Sequence, residues 1–131
     1  FGPLKGMYTI IKRNRFILLN DTLDDDMKRI VCAHEIGHDQ LHRDIVKRGV
    51  MKEFTLYDMK SKPEYEANIV CSEILLDTEE VLTHIYEDHY TAEEIAQIMH
   101  TDINLVVLKV AHLSALGYGL NRQDYKSDFL K

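Results

Sequence analysis

The sequence predicts an α+β fold: a pair of short strands at the N-terminus followed by helices. Three observations carry this. Two runs rich in β-branched and aromatic side chains, MYTIIK and RFILLN, flank Arg13-Asn14. After residue 24 the apolar residues recur at helical intervals of three and four. Several of those runs open on acids, a threonine or a proline, which suit helix starts.

Taken in order, the two strands form a hairpin with its turn expected at Arg13-Asn14. NDTLDDD then loads acid onto the start of a helix running from about Asp24 to Arg43, where negative charge suits the helix dipole. That helix sets Met27, Ile30, Val31, His34, His38 and Leu41 on one face. DIVKRGVMKEFTLYDMKSK is less regular, with a short strand expected at Lys52–Tyr57. A second helix starts at Pro63, a residue favoured in a first turn, with Ala67, Val70, Cys71, Ile74 and Leu75 as its apolar stripe. Asp77-Thr78-Glu79-Glu80 and Thr91–Glu94 read as capping boxes opening a third helix (Glu79 to about Glu87) and a fourth, AEEIAQIMH. The last helix, INLVVLKVAHLSAL, stops at Gly117, and the tail from Asn121 is polar. The expected organisation is a core over 1–77, a C-terminal helical subdomain over 78–120 and a tail over 121–131.

Composition narrows the function. At 131 residues, 45% hydrophobic and 29% charged, the chain can bury a core without covalent staples. A net charge of -6 argues against general affinity for nucleic-acid backbones or anionic membranes. Cys32 and Cys71 both lie in apolar helical stretches and are expected to be reduced thiols of a cytoplasmic protein. No apolar run reaches the roughly 18–20 residues of a membrane span, and no signal peptide is visible.

The chemistry concentrates in VCAHEIGHDQLHRD (31–44). His34-Glu35-Ile36-Gly37-His38 has the H-E-x-x-H spacing. Positions four apart project side by side on a helix, so two imidazoles converge on one zinc ion at about 2.0–2.1 Å. A glutamate directly after the first histidine lies at the edge of the same face and can take a proton from water that the metal has acidified. His42 continues the interval of four, but it stands about 12 Å along a straight helix from His34, too far to share one ion. It is expected to donate to a ligand, complement the helix end or pack. The third ligand must come from elsewhere, and the helix after Pro63 supplies Glu64, Glu66 and Glu73. Glu66 and Glu73 share a face but stand about 10 Å apart, so only one can bind, and spacing does not choose.

AHEIGHDQLH (33–42) and EYEANIVCSEILL (64–76), preceded by GMYTI and FILLNDTL, together resemble the ImmA/IrrE family of metallopeptidases. The resemblance implies a small zincin-like metallopeptidase fold. It implies Zn2+ held by two histidines and the glutamate of the E-A-N block, which carries over to His34, His38 and Glu66, with Glu35 as the catalytic carboxylate. It further implies a cytoplasmic endopeptidase that disables DNA-binding repressors of phages, mobile elements or stress regulons. Asp77 stands where the family commonly has proline, which exchanges one helix-start device for another.

Residues 91–118 resemble a helix-turn-helix with Ala96 at the tight contact. A DNA reader needs basic and amide side chains on its second helix. Here Glu93, Glu94 and Asp102 face Lys109 alone, so these helices are expected to dock protein and not nucleic acid. The rival reading is a module that inactivates its partner without cutting it. Glu35 favours the enzyme, because a pure binder needs no general base.

Overall fold

A computed structural model describes residues 5–47 and 61–118. Strands β1 (Gly6–Ile11) and β2 (Asn14–Leu19) pair antiparallel, with Tyr8 opposite Ile17 and Ile11 opposite Asn14. The turn between them is Lys12-Arg13, one residue earlier than expected. Both residues adopt left-handed backbone, at φ 50° and 69°. Two such residues in succession make the tight turn whose twist matches a hairpin, and with no glycine to mark it the sequence left its register open. Asn20 N–H donates to Lys5 O at 2.9 Å. By the alternation of an antiparallel ladder, Gly6, Tyr8 and Ile10 therefore turn their backbone groups away from β2.

Helix α1 (Asp25–Leu41) starts where the acidic run ends, because the Asp24 side chain accepts from Met27 N–H at 2.7 Å. Its buried positions are Ile30, Val31, Ala33, His34, Glu35, Gly37 and His38. Leu41, expected on that face, is 53% exposed, since the helix ends there and not at Arg43. His42 caps it with a non-helical backbone, and the short α2 (Arg43–Lys47) follows. The strand expected at Lys52–Tyr57 lies outside the described residues.

Helix α3 (Lys62–Leu75) has Pro63 in its first turn. Its buried side chains are Glu64, Ala67, Asn68, Cys71 and Ser72, whereas Ile74 is 49% exposed. The buried face is thus rotated from the apolar stripe expected, and three of these five side chains are polar. Gly37 explains how α3 comes so near α1. A Cβ at Gly37 would stand 2.8 Å from Ala67 Cα and 2.9 Å from its carbonyl oxygen. Cys71 Sγ meets Ile30 O at 3.4 Å on the same seam. Gly37→Ala should therefore destabilise the protein, although alanine is ordinarily the better helix former by about 0.8–1 kcal/mol. The obstruction is backbone, which cannot rotate aside, so a net loss of about 1–3 kcal/mol is expected in urea denaturation. A gain in stability would show that the helices separate freely.

The chain divides into two compact units between Cys71 and Ser72, within α3. The partition read from the sequence falls slightly later, at residue 77. In the second unit α4 (Thr78–Tyr86) is capped by Asp77, whose side chain accepts from Glu80 N–H. Helix α5 (Ala92–Ile98) carries the Thr91–Glu94 capping box with both reciprocal bonds formed. Helix α6 (Ile103–Ala115) is capped by Asp102 and ends at Leu116, before Gly117 at φ 93°. Leu76, Val81, Ile95, Leu105, Val106, Val110 and Leu113 form this unit's core. Lys109 is buried there with its ammonium 3.0 Å from Glu73 Oε2. Among the described residues no helix is long and apolar enough to cross a membrane, and Cys32 and Cys71 are free thiols. The tail from Asn121 lies outside the described residues.

Candidate metal centre

His34 and His38 project from successive turns of α1, and their rings meet edge to face with centroids 4.9 Å apart. Their Nε2 atoms are 3.2 Å apart. Glu64, from the first turns of α3, completes the cluster: its Oε2 is 3.2 Å from His34 Nε2 and its Oε1 is 2.9 Å from His38 Nε2. All three side chains are buried, and their ligand atoms lie within 4.8 Å of one another.

The structure places the glutamate carried over from the resemblance elsewhere. Glu66 does not reach the histidine pair, and its Oε1 sits 3.1 Å from His42 Nε2, with its side chain 39% exposed. The reason is helical. Residues two apart point to nearly opposite sides of a helix, so only one of Glu64 and Glu66 can face α1. Glu64 shares its face with Ala67, Asn68 and Cys71 at intervals of three, four and seven, and that is the face on Gly37 and Ile30. The same interval was available in the sequence: Ala67 and Cys71 already belonged to the apolar stripe, and Glu64 extends it one turn earlier. Glu73, the remaining candidate, pairs with Lys109.

The donor set suits a cation. His34 Nδ1 lies 2.7 Å from Asn68 Oδ1. A carboxamide oxygen only accepts, so the Nδ1–H donates and Nε2 is the ring atom left to face the cluster. Burial holds the His38 pKa below the usual imidazole value, which favours the neutral, ligating ring. Burial alone would raise Glu64, but contact with His34 and His38 outweighs it and holds the carboxyl below its usual range, as the ligating anion. Glu64 Oε1, close as it is to His38, accepts no aligned hydrogen bond among the described residues, and neither does Glu35 Oε2. Buried carboxylate oxygens without a donor are costly unless a cation or water serves them.

Glu35 sits beside this cluster and is buried to 2% exposure. Burial is the main cause that pushes its pKa up to about 7, and the Glu64 charge adds to it, against His34 and a hydrogen bond from the Tyr8 backbone. That bond comes from the edge of β1 turned away from β2. Tyr8 is itself anchored, its hydroxyl donating to Asp39 Oδ1 at 2.7 Å. Arg15 meets the same Asp39 carboxylate at 3.0 Å. Burial and the Asp39 contact push the Tyr8 phenol up to about 12, so it stays a donor throughout the neutral range.

A hairpin laid over a His-Glu-x-x-His helix, with a carboxylate entering from a later helix, is the arrangement of a small α+β zincin-like domain. The chain belongs to the Peptidase_M78 family: residues 2–106 match the family model described as the IrrE N-terminal-like domain. It is also 35% identical over 113 residues to a protein of Bacillus phage phi105 named "Uncharacterized immunity region protein 2". That alignment covers 86% of this chain and 66% of the relative, so the chain spans slightly less than two thirds of the relative's length. No solved structure matches the chain.

Proposed function

We propose that this protein is a zinc-dependent endopeptidase that inactivates a DNA-binding repressor by hydrolysing one of its peptide bonds. The observation that carries the reading is the buried convergence of His34, His38 and Glu64 beside an unpaired Glu35 oxygen. Two imidazoles and one carboxylate form the donor set of catalytic zinc sites, which keep a fourth position open. When bound, the ion would polarise the scissile carbonyl and bring the pKa of water to about 7. Glu35 takes the proton from the attacking water and returns it to the departing amine as the C–N bond breaks. Asn68 keeps the His34 ring oriented throughout.

The repressor as substrate rests on the family and on the immunity-region name of the phage relative. Nucleic acid is disfavoured as a direct partner, because the only lysine or arginine of residues 91–118, Lys109, is buried against Glu73. The test is to purify the full chain, count its metal and incubate it with a candidate DNA-binding repressor. About one zinc per chain and two repressor fragments are expected, with cleavage abolished by a chelator and restored by zinc. A repressor released from its operator yet intact would replace the enzyme with a binding module.

A further inference from the structure

His42 and Glu66 are buried or half-buried next to the metal centre, yet neither joins it. They form a line instead. Glu66 Oε1 lies 3.1 Å from His42 Nε2, and His42 Nδ1 lies 2.8 Å from His38 Nδ1. The break in α1 at His42 permits this, since the cap backbone brings its ring back onto His38, with centroids 5.0 Å apart.

We propose that Glu66 and His42 are positioning residues that fix the His38 ring with its Nε2 lone pair turned toward Glu64 and His34. The argument runs inward from the carboxylate. A carboxylate oxygen only accepts, so His42 Nε2 carries the hydrogen and donates it. With its hydrogen on Nε2, His42 offers the lone pair of Nδ1. That lone pair accepts from His38 Nδ1–H, which leaves His38 Nε2 free of hydrogen. His38 Nε2 lies 2.9 Å from Glu64 Oε1 and 3.2 Å from His34 Nε2, so its lone pair needs a cation among them, whereas the opposite tautomer would turn an N–H at that cation. Asn68 does for His34 in one bond what His42 and Glu66 do for His38 in two. The chain of contacts also explains a glutamate two residues after Glu64: opposite faces of one helix turn serve the metal site and the ring behind it.

This inference rests on the metal reading above, and two measurements separate their failures. The first is long-range proton–nitrogen NMR of the full chain loaded with zinc. His38 and His34 should appear as Nδ1–H tautomers and His42 as Nε2–H. A His38 bearing its hydrogen on Nε2, or a doubly protonated His42, overturns the proposal while the bound zinc leaves the metal reading standing. The second is zinc affinity by competition with a chromophoric chelator. Losing an outer partner of a ligating histidine typically costs about 10–100-fold, and His42→Phe should weaken zinc by that much. His42→Asn, whose carboxamide oxygen can still accept from His38 Nδ1, should recover most of it, with thermal melts confirming that both variants fold. Equal weakening in both variants, or none in either, defeats the proposal. A wild-type chain that binds no zinc defeats the metal reading, and this inference with it.

Discussion

Glu35→Gln is expected to lower cleavage of the repressor by about 10²–10⁴-fold, the usual contribution of a positioned general base. Glutamine keeps the shape and can still accept from the Tyr8 backbone, but its carboxamide cannot take a proton from water. The residue is 2% exposed, so any change of volume would disturb α1 and β1 together, and glutamine adds none to speak of. Zinc content should stay at the wild-type level, because Glu35 is absent from the group of converging ligand atoms. Fragment formation on a time course, beside metal analysis of the same preparation, reads both quantities. Undiminished cleavage would remove Glu35 from the mechanism. Loss of zinc would make it a ligand and require a different helix register.

The pair Glu64→Ala and Glu66→Ala should behave very differently despite their separation of two residues. Glu64→Ala removes one of three converging ligand atoms. Its zinc affinity should fall well beyond the roughly 10–100-fold expected for an outer partner, and cleavage should vanish with the metal. Glu66→Ala leaves those atoms in place and frees only the outer end of His42. Its loss should stay within that range, and saturating zinc should restore cleavage. Titration of both variants against one competing chelator ranks them. If Glu66→Ala lost the metal while Glu64→Ala kept it, the carry-over by resemblance would stand and the observed geometry would not represent the loaded protein.

The alternation of short apolar runs and capped helical segments was legible because it is local. Asp24, Asp77 and Thr91 each satisfy backbone donors within their own helix, and no distant partner is needed to see that. The hairpin was legible for the same reason, but its turn was not, because Lys12 and Arg13 adopt backbone that their side chains do not advertise. Leu41 and Ile74 were assigned to buried faces by hydrophobicity, and both are substantially exposed. Burial on a helix is decided by what packs against it, and Gly37 selects Ala67 as the contact.

By itself the sequence determined the His34–Glu35–His38 constellation, since that spacing is a property of one helix turn and requires no knowledge of the rest of the chain. It argued against His42 as a third ligand, on distance along a straight helix. It narrowed the third ligand to three glutamates and could not choose among them. Only the tertiary structure decided which of them joins the histidine pair: the rotation of α3 about its axis is set by the close approach of Ala67 to Gly37, and that rotation turns Glu64 inward with Asn68 and sends Glu66 to His42. The rotation of one helix against another is fixed by packing between residues some thirty positions apart, and periodicity within a single segment carries no information about it.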